Sequence, residues 1–165
     1  MIEGAAHRFG DNIDTDQLAP GRYMKGAISE LARHCLETED PGFAGRVRPG
    51  DVIVAGENFG AGSSREQAAA VLMKLGIGAV LARSFARIFF RNALNLGLPV
   101  LVCPTAGEIA DGTRLMVDPI LGQATEMAGG RRHDCEPLPA HLMAMVQDGG
   151  LLPHLEKTLR KSPHG

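Results

Sequence analysis

Apolar residues in the middle of this chain fall into short unbroken runs. Val52-Ile53-Val54-Ala55, Ala79-Val80-Leu81-Ala82 and Val100-Leu101-Val102-Cys103 contain no polar position to face water, the mark of strands covered on both sides. Between the first two, Ala68 to Leu75 predicts a helix over about 64–75, closed by Gly76 and Gly78. Between the second and third, a helix over about 85–95 is predicted, with Ser84 placed to cap it and Gly97-Leu98-Pro99 leading into the last strand. The series is β-α-β-α-β, and right-handed crossovers make it a parallel sheet covered by helices. Ligands on such sheets sit at the carboxyl ends of strands, where residues 56–64 fall.

The flanks read differently. Residues 7–45 mix turn formers (Gly10-Asp11-Asn12, Pro20-Gly21, Asp40-Pro41-Gly42) with one helix around Ile28 to Leu36, and 113–127 predict two short strands joined near Asp118-Pro119. After Pro137-Leu138-Pro139 a helix is predicted from Ala140 to Gln147, broken at Gly149-Gly150 and resumed through Leu155 and Leu159, with fraying over the last four or five residues. No internal repeat is present.

A length of 165 residues predicts a single domain over 1–165. With 44% hydrophobic residues, 22% charged and a net charge of -2, neither disorder nor a general nucleic-acid surface is indicated. One tyrosine and no tryptophan leave few platforms for base stacking. Met1-Ile2-Glu3-Gly4 carries no basic flank before an apolar core, and no run reaches the roughly 18 apolar residues of a membrane span. The expectation is a cytoplasmic protein with no membrane or nucleic-acid partner. Cys35, Cys103 and Cys135 form no CxxC pair, so local spacing assembles neither a zinc site nor an iron–sulfur cluster. Their odd number fits reduced thiols, and Cys103 is expected to be a buried packing residue.

The candidate chemistry lies in Gly56-Glu57-Asn58-Phe59-Gly60-Ala61-Gly62-Ser63-Ser64-Arg65-Glu66, a glycine-rich loop entering a helix. It offers hydroxyls, backbone N–H groups and one guanidinium to an anion. Three familiar glycine motifs fail here. A dinucleotide fingerprint needs glycine where Arg65 stands, a P-loop needs a lysine that is absent between Glu57 and Met73, and the nucleophile elbow needs glycine at Glu66. What remains locally is a helix entry with two capping registers, Ser63 with Glu66 or Ser64 with Gln67.

Read together, Gly62-Ser63-Ser64-Arg65-Glu66, the later Arg83-Ser84-Phe85-Ala86-Arg87-Ile88, and the earlier Asp11-Asn12-Ile13-Asp14-Thr15-Asp16 resemble the aconitase superfamily. Pro20-Gly21-Arg22-Tyr23 and Gly149-Gly150-Leu151-Leu152-Pro153 extend the resemblance over nearly the whole chain. It implies an α/β fold, the swivelling β/β/α domain of the aconitase type, which isopropylmalate isomerases carry as a separate small subunit.

The resemblance also implies a hydro-lyase or isomerase that removes water from a 2-hydroxy di- or tricarboxylate and returns it at the adjacent carbon. The partner implied is a large catalytic subunit, forming a heterodimer or heterotetramer and holding a [4Fe-4S] cluster, with none bound by this chain. By the family pattern Ser63 is the base that removes the proton next to a carboxylate. An alkoxide is costly near neutral pH, so Gly60 to Ser64 and Arg65 are expected to stabilise it, with Ser64 and Arg65 holding substrate carboxylate. Asp14 and Asp16 are expected either to orient site arginines or to form turns. Arg83 and Arg87 support an anion pocket or, continued by Arg91, a solvated basic stripe, while Phe85, Phe89 and Phe90 are core.

Substrate choice is expected from Arg22-Tyr23-Met24-Lys25-Gly26. Lys25 departs from the apolar residue of compact isopropylmalate isomerases and from the arginine of homoaconitases. It can meet an extra carboxylate, or turn away and leave Met24 as an apolar wall. Isopropylmalate, as in leucine biosynthesis, leads; homoaconitate or homocitrate and methylated malates stay open, as does a catalytically silent anion-binding module.

Overall fold

The computed structural model describes residues 1–161. Seven strands form one sheet: β1 (Ile2–Arg8), β2 (Val52–Ala55), β3 (Ala79–Ala82), β4 (Val100–Val102), β5 (Arg114–Asp118), β6 (Gln123–Glu126) and β7 (Arg132–Asp134). Their order is β4-β3-β2-β1-β5-β6-β7. β1 to β4 pair in parallel, and β5 to β7 add antiparallel strands on the other side of β1. The predicted β-α-β-α-β series is therefore the parallel half. Every residue of β2 and β3 is buried, as their unbroken apolar runs require.

β1 is the difference from the sequence reading, which placed no strand before residue 52. It sits at the sheet's centre, pairing Ala6 to Arg8 with Val52 to Val54 and Ile2 to Ala5 with β5. Its Gly4-Ala5-Ala6 core lacks the β-branched residues that mark strands. A side chain at residue 4 would stand 2.3 Å from the Gly50 carbonyl oxygen, so the close approach of that segment excludes one. β7 is three polar-flanked residues and carried no pattern to read.

Helices α1 (Thr15–Leu18), α2 (Ile28–Ala32), α3 (Phe43–Arg46), α4 (Gln67–Leu75), α5 (Arg87–Leu96), α6 (Ala140–Gln147) and α7 (Leu151–Lys161) complete the architecture. α1 and α2 pack on α4, α4 on α5, α5 on α6, and α7 on both α5 and α6. Gly76 closes α4 in the left-handed conformation (φ 96°), donating to carbonyls of the last turn. α2 is shorter than predicted, its continuation through residue 36 being turns. Among the described residues no helix is long and apolar enough to cross a membrane. The expected fraying at the C-terminus falls on 162–165, outside the described residues.

One core cluster runs through the sheet and helices, with Phe43, Phe59, Leu72, Leu81 and Leu101 fully enclosed. Asp51 is buried within it, 4% exposed, accepting from the Ala5 and Arg48 amides at 3.0 Å each and facing His7 Nε2 at 2.8 Å. Burial opposes its ionisation, but the His7 contact and the two amides outweigh that and hold its carboxyl below the ordinary value.

Candidate active site

The three motifs of the sequence meet at the carboxyl end of β2. The loop of residues 56–66 lies between two other segments and bonds to both. On one side Gly60 N donates to Ile13 O at 2.7 Å, Thr15 N to Ala61 O at 2.8 Å, and Asn12 N to Glu57 O at 2.8 Å. On the other, Phe59 N donates to Ser84 O at 3.1 Å, Ala86 N to Phe59 O at 2.9 Å, and Asn58 N to Ser84 Oγ at 2.7 Å. Each segment adds a single β-bridge, Asp14 to Ala61 and Phe59 to Phe85. Gly60 has φ 86°, and a Cβ there would lie 2.2 Å from Phe89 Cγ, so this turn tolerates only glycine.

α4 begins at Gln67, later than predicted, and its N-cap is Glu66 with no side-chain cap. Neither capping register forms. The Ser63 hydroxyl instead lies 3.2 Å from Thr15 Oγ1. Ser63 and Ser64 are exposed. Gly60 N is spent on Ile13, which removes it from the expected anion cradle, whereas the amides of Gly62, Ser63, Ser64 and Arg65 reach no acceptor among the described residues. These donors stand at the N-terminal approach to a nine-residue helix, where partial positive charge collects.

Arg65 Nη1 donates to Asp16 Oδ1 at 2.8 Å and to Ala19 O at 3.0 Å. Asp16 Oδ1 also accepts from Gly21 N at 3.0 Å. The Arg65 contact, then the Gly21 amide, holds the Asp16 carboxyl below its ordinary value. Asp16 is largely open to water, so the pair adds little stability; its effect is to fix the guanidinium. Asp14 does something else. It accepts from Gln17 N at 2.8 Å while Gln17 Oε1 accepts from Asp14 N at 2.7 Å, a reciprocal cap on α1. Asp16 is thus the arginine partner and Asp14 the turn former.

Lys25 follows a 3-10 turn over Gly21–Tyr23 and is exposed, with no carboxylate partner among the described residues. Met24 beside it is half-buried against the core. Because Gly21 is bonded to Asp16 and lies beside the Arg65 guanidinium, the loop carrying Lys25 starts at the site.

Arg87 is exposed on α5 and lines a shallow cavity toward α6 with Arg91, Leu142 and Met145. Like Lys25, it makes no hydrogen bond to the loop among the described residues. Ser84 does not cap α5, whose N-cap is Ala86; its hydroxyl holds Asn58. Phe89 is buried and Phe85 half-buried, both edge-to-face with Phe59, while half-buried Phe90 lies tilted against Phe85.

Cys103 is buried as expected, but it is not isolated: the Cys135 thiol, also buried, is its neighbour. The Cys135 contact lowers Cys103, and the same contact together with burial pushes Cys135 up. Thr105 Oγ1, 3.8 Å from Cys103 Sγ, reaches His133 Nδ1 at 2.7 Å, and His133 Nε2 reaches Glu126 at 2.7 Å. Cys35 is buried alone, its thiol pushed up by burial. Among the described residues no group of three or more His, Cys, Asp or Glu side chains is arranged to hold a metal.

Missed by the sequence reading was Thr15. It stands between Asp14 and Asp16, and its bond to Ser63 spans 48 positions. Only the Asp-Thr-Asp spacing itself could have pointed to it.

A half-parallel sheet whose open end presents a Gly-Ser-Ser-Arg loop, pinned by an Asp-Thr-Asp segment and an aspartate-held arginine, defines an aconitase-type domain. The Aconitase C-terminal domain family matches residues 29–105. The homoaconitase small subunit of Methanothermobacter thermautotrophicus is 45% identical over 160 residues, covering 96% of this chain and 93% of that protein. The 3-isopropylmalate dehydratase small subunit of Moorella thermoacetica is 43% identical over 164 residues, covering 98% and 99%. The crystal structure of 3-isopropylmalate dehydratase from Methanocaldococcus jannaschii superposes with a TM-score of 0.92 at 43% identity, covering 99% of each chain. The chain belongs to the aconitase superfamily, in the family of 3-isopropylmalate dehydratase small subunits.

Proposed function

We propose that this chain works with a large subunit to dehydrate a 2-hydroxy di- or tricarboxylate and rehydrate it at the adjacent carbon, with isopropylmalate as the leading substrate. The observation that supports this most is the exposed Ser63-Ser64 pair beside an arginine already fixed by Asp16 and Ala19 O. Such groups face a second chain more naturally than a closed pocket of their own.

In this reading Arg65 offers its remaining N–H groups to a substrate carboxylate, and Ser64 adds a hydroxyl. Binding there sets the neighbouring carbon's C–H toward Ser63 Oγ. The C–H bond breaks, the proton joins Ser63 oxygen, and the electron pair stays next to the carboxylate until the hydroxyl leaves the adjacent carbon. The Ser63, Ser64 and Gly62 amides offset the serine's negative charge before transfer. A [4Fe-4S] cluster on the large subunit supplies Lewis-acid chemistry at the departing hydroxyl. The setting is the cytoplasm, where such a partner and three unbonded thiols stay reduced.

Lys25 carries the choice of substrate. Overall similarity to relatives named for homoaconitate and for isopropylmalate is nearly equal, at 45% and 43%, and does not separate the two substrates. The test is anaerobic co-expression with a large subunit bearing three cluster cysteines, followed by absorbance of the unsaturated product over a panel of 2-hydroxy acids. Turnover of 3-isopropylmalate that requires both chains is expected. No turnover of any panel member by an assembled, cluster-loaded complex would overturn the proposal.

A further inference from the structure

Thr15, Asp51 and His133 are the buried polar or charged residues among those described. Asp51 faces His7 and backbone amides, and His133 bridges Thr105 and Glu126, so both are satisfied inside the protein. Thr15, 3% exposed, differs. Its hydroxyl has one side-chain partner among the described residues, and that partner is the exposed Ser63, at 3.2 Å.

We propose that Thr15 is the positioning residue for Ser63, donating its hydroxyl hydrogen to Ser63 Oγ so that the serine's own proton site points at the substrate. This rests on the reading of Ser63 as the base.

Thr15 is built to hold one orientation. Its amide donates to Ala61 O at 2.8 Å and its carbonyl accepts from Ala19 N at 2.8 Å, so its backbone is fixed from both sides. A β-branched side chain has few χ1 choices once the backbone is set. As the first residue of α1 it has no carbonyl of a preceding helical turn to receive its hydroxyl, which leaves Ser63 as the acceptor. Gly62 leaves the space the hydroxyl needs, since a Cβ at residue 62 would stand 3.1 Å from Thr15 Oγ1.

The chemistry follows from donor count. A threonine hydroxyl has one hydrogen, and the bond can run in either direction while both alcohols are neutral. When Ser63 is ionised it can only accept, and Thr15 then stabilises the alkoxide with a charge-assisted bond. After proton transfer the new Ser63 O–H holds the hydrogen taken from carbon, and Thr15 keeps its own. No proton leaves Thr15 at any stage.

The test compares Thr15→Val, Thr15→Ser and Ser63→Ala in the complete two-chain enzyme. Thr15→Val keeps the shape and deletes the donor. It is expected to lower kcat by about 10²-fold or more, the scale for removing one donor from a developing oxyanion, with KM changed by less than about threefold. The acid limb of kcat/KM should move to higher pH, and the primary isotope effect for substrate deuterated at the abstracted position should rise. Thr15→Ser should restore most of the rate. A Thr15→Val enzyme with wild-type kcat, or one with lowered kcat but unmoved pH profile and isotope effect, would overturn the proposal. Ser63→Ala separates the two claims: full activity there sinks the base reading itself, while its loss beside a normal Thr15→Val sinks only the role of Thr15.

Discussion

Gly60→Ala tests whether the loop of residues 56–66 is held where the fold needs it. Residue 60 has φ 86°, a region that costs an L-residue about 1–2 kcal/mol. Its new Cβ would also lie 2.2 Å from Cγ and 2.3 Å from Cβ of Phe89. Phe89 is 2% exposed and packs edge-to-face on Phe59 at 5.2 Å, so it has no free volume to enter. Forcing a methyl into such packing costs about 1–3 kcal/mol, for a sum of about 2–5 kcal/mol. Urea denaturation of the isolated chain reads this as a lower midpoint at unchanged slope. Because Ser63 lies three residues further on, relaxation of the overlap displaces it, and a displacement of about 1 Å can cost about 10²-fold in rate. Turnover of the assembled enzyme should therefore fall with stability. A Gly60→Ala variant within about 0.5 kcal/mol of wild type refutes the packing account. One that is destabilised yet fully active refutes the link from this contact to the placement of Ser63.

Two further outcomes follow from other residues. Asp51→Asn replaces a buried carboxylate that accepts from two amides and faces His7, and should destabilise the chain by about 3 kcal/mol at pH 7. Since the folded-state value of Asp51 is depressed, its contribution is present above the ordinary carboxyl range and is lost as pH falls through the folded value. The gap between wild type and Asp51→Asn in denaturation should therefore shrink below about pH 4, and a gap constant from pH 7 to 3 would contradict the assignment. Lys25→Val should raise the ratio of activity on 3-isopropylmalate to that on a tricarboxylate by about tenfold, and an unchanged ratio would show that this loop does not select substrate.

The parallel half of the sheet was legible because β2, β3 and β4 are buried on both faces and so contain almost nothing polar. β1 was not, because its centre is Gly4-Ala5-Ala6, chosen for the close passage of Gly50 rather than for strand propensity. The site was legible as a set of motifs, and the structure joins them through backbone bonds from residues 12–15 and 84–86 to the loop between them. What local spacing misread was the role of the serines. Ser63-Ser64-Arg65-Glu66 reads as a helix cap, yet Ser63 is engaged by Thr15 from 48 positions away, and α4 starts only at Gln67. The same limit hid the meeting of Cys103 with Cys135 and the division of labour between Asp14 and Asp16, which depend on pairings between distant segments.

The proposed mechanism turns on Ser63 taking the proton. Hydrogen exchange between solvent deuterium and the substrate carbon next to the carboxylate, followed by NMR in the assembled enzyme, reads that step directly. With Ser63→Ala, assembly and substrate binding should stay intact while exchange slows by about 10²- to 10⁴-fold. Exchange at the wild-type rate in that variant would contradict it and place the base elsewhere.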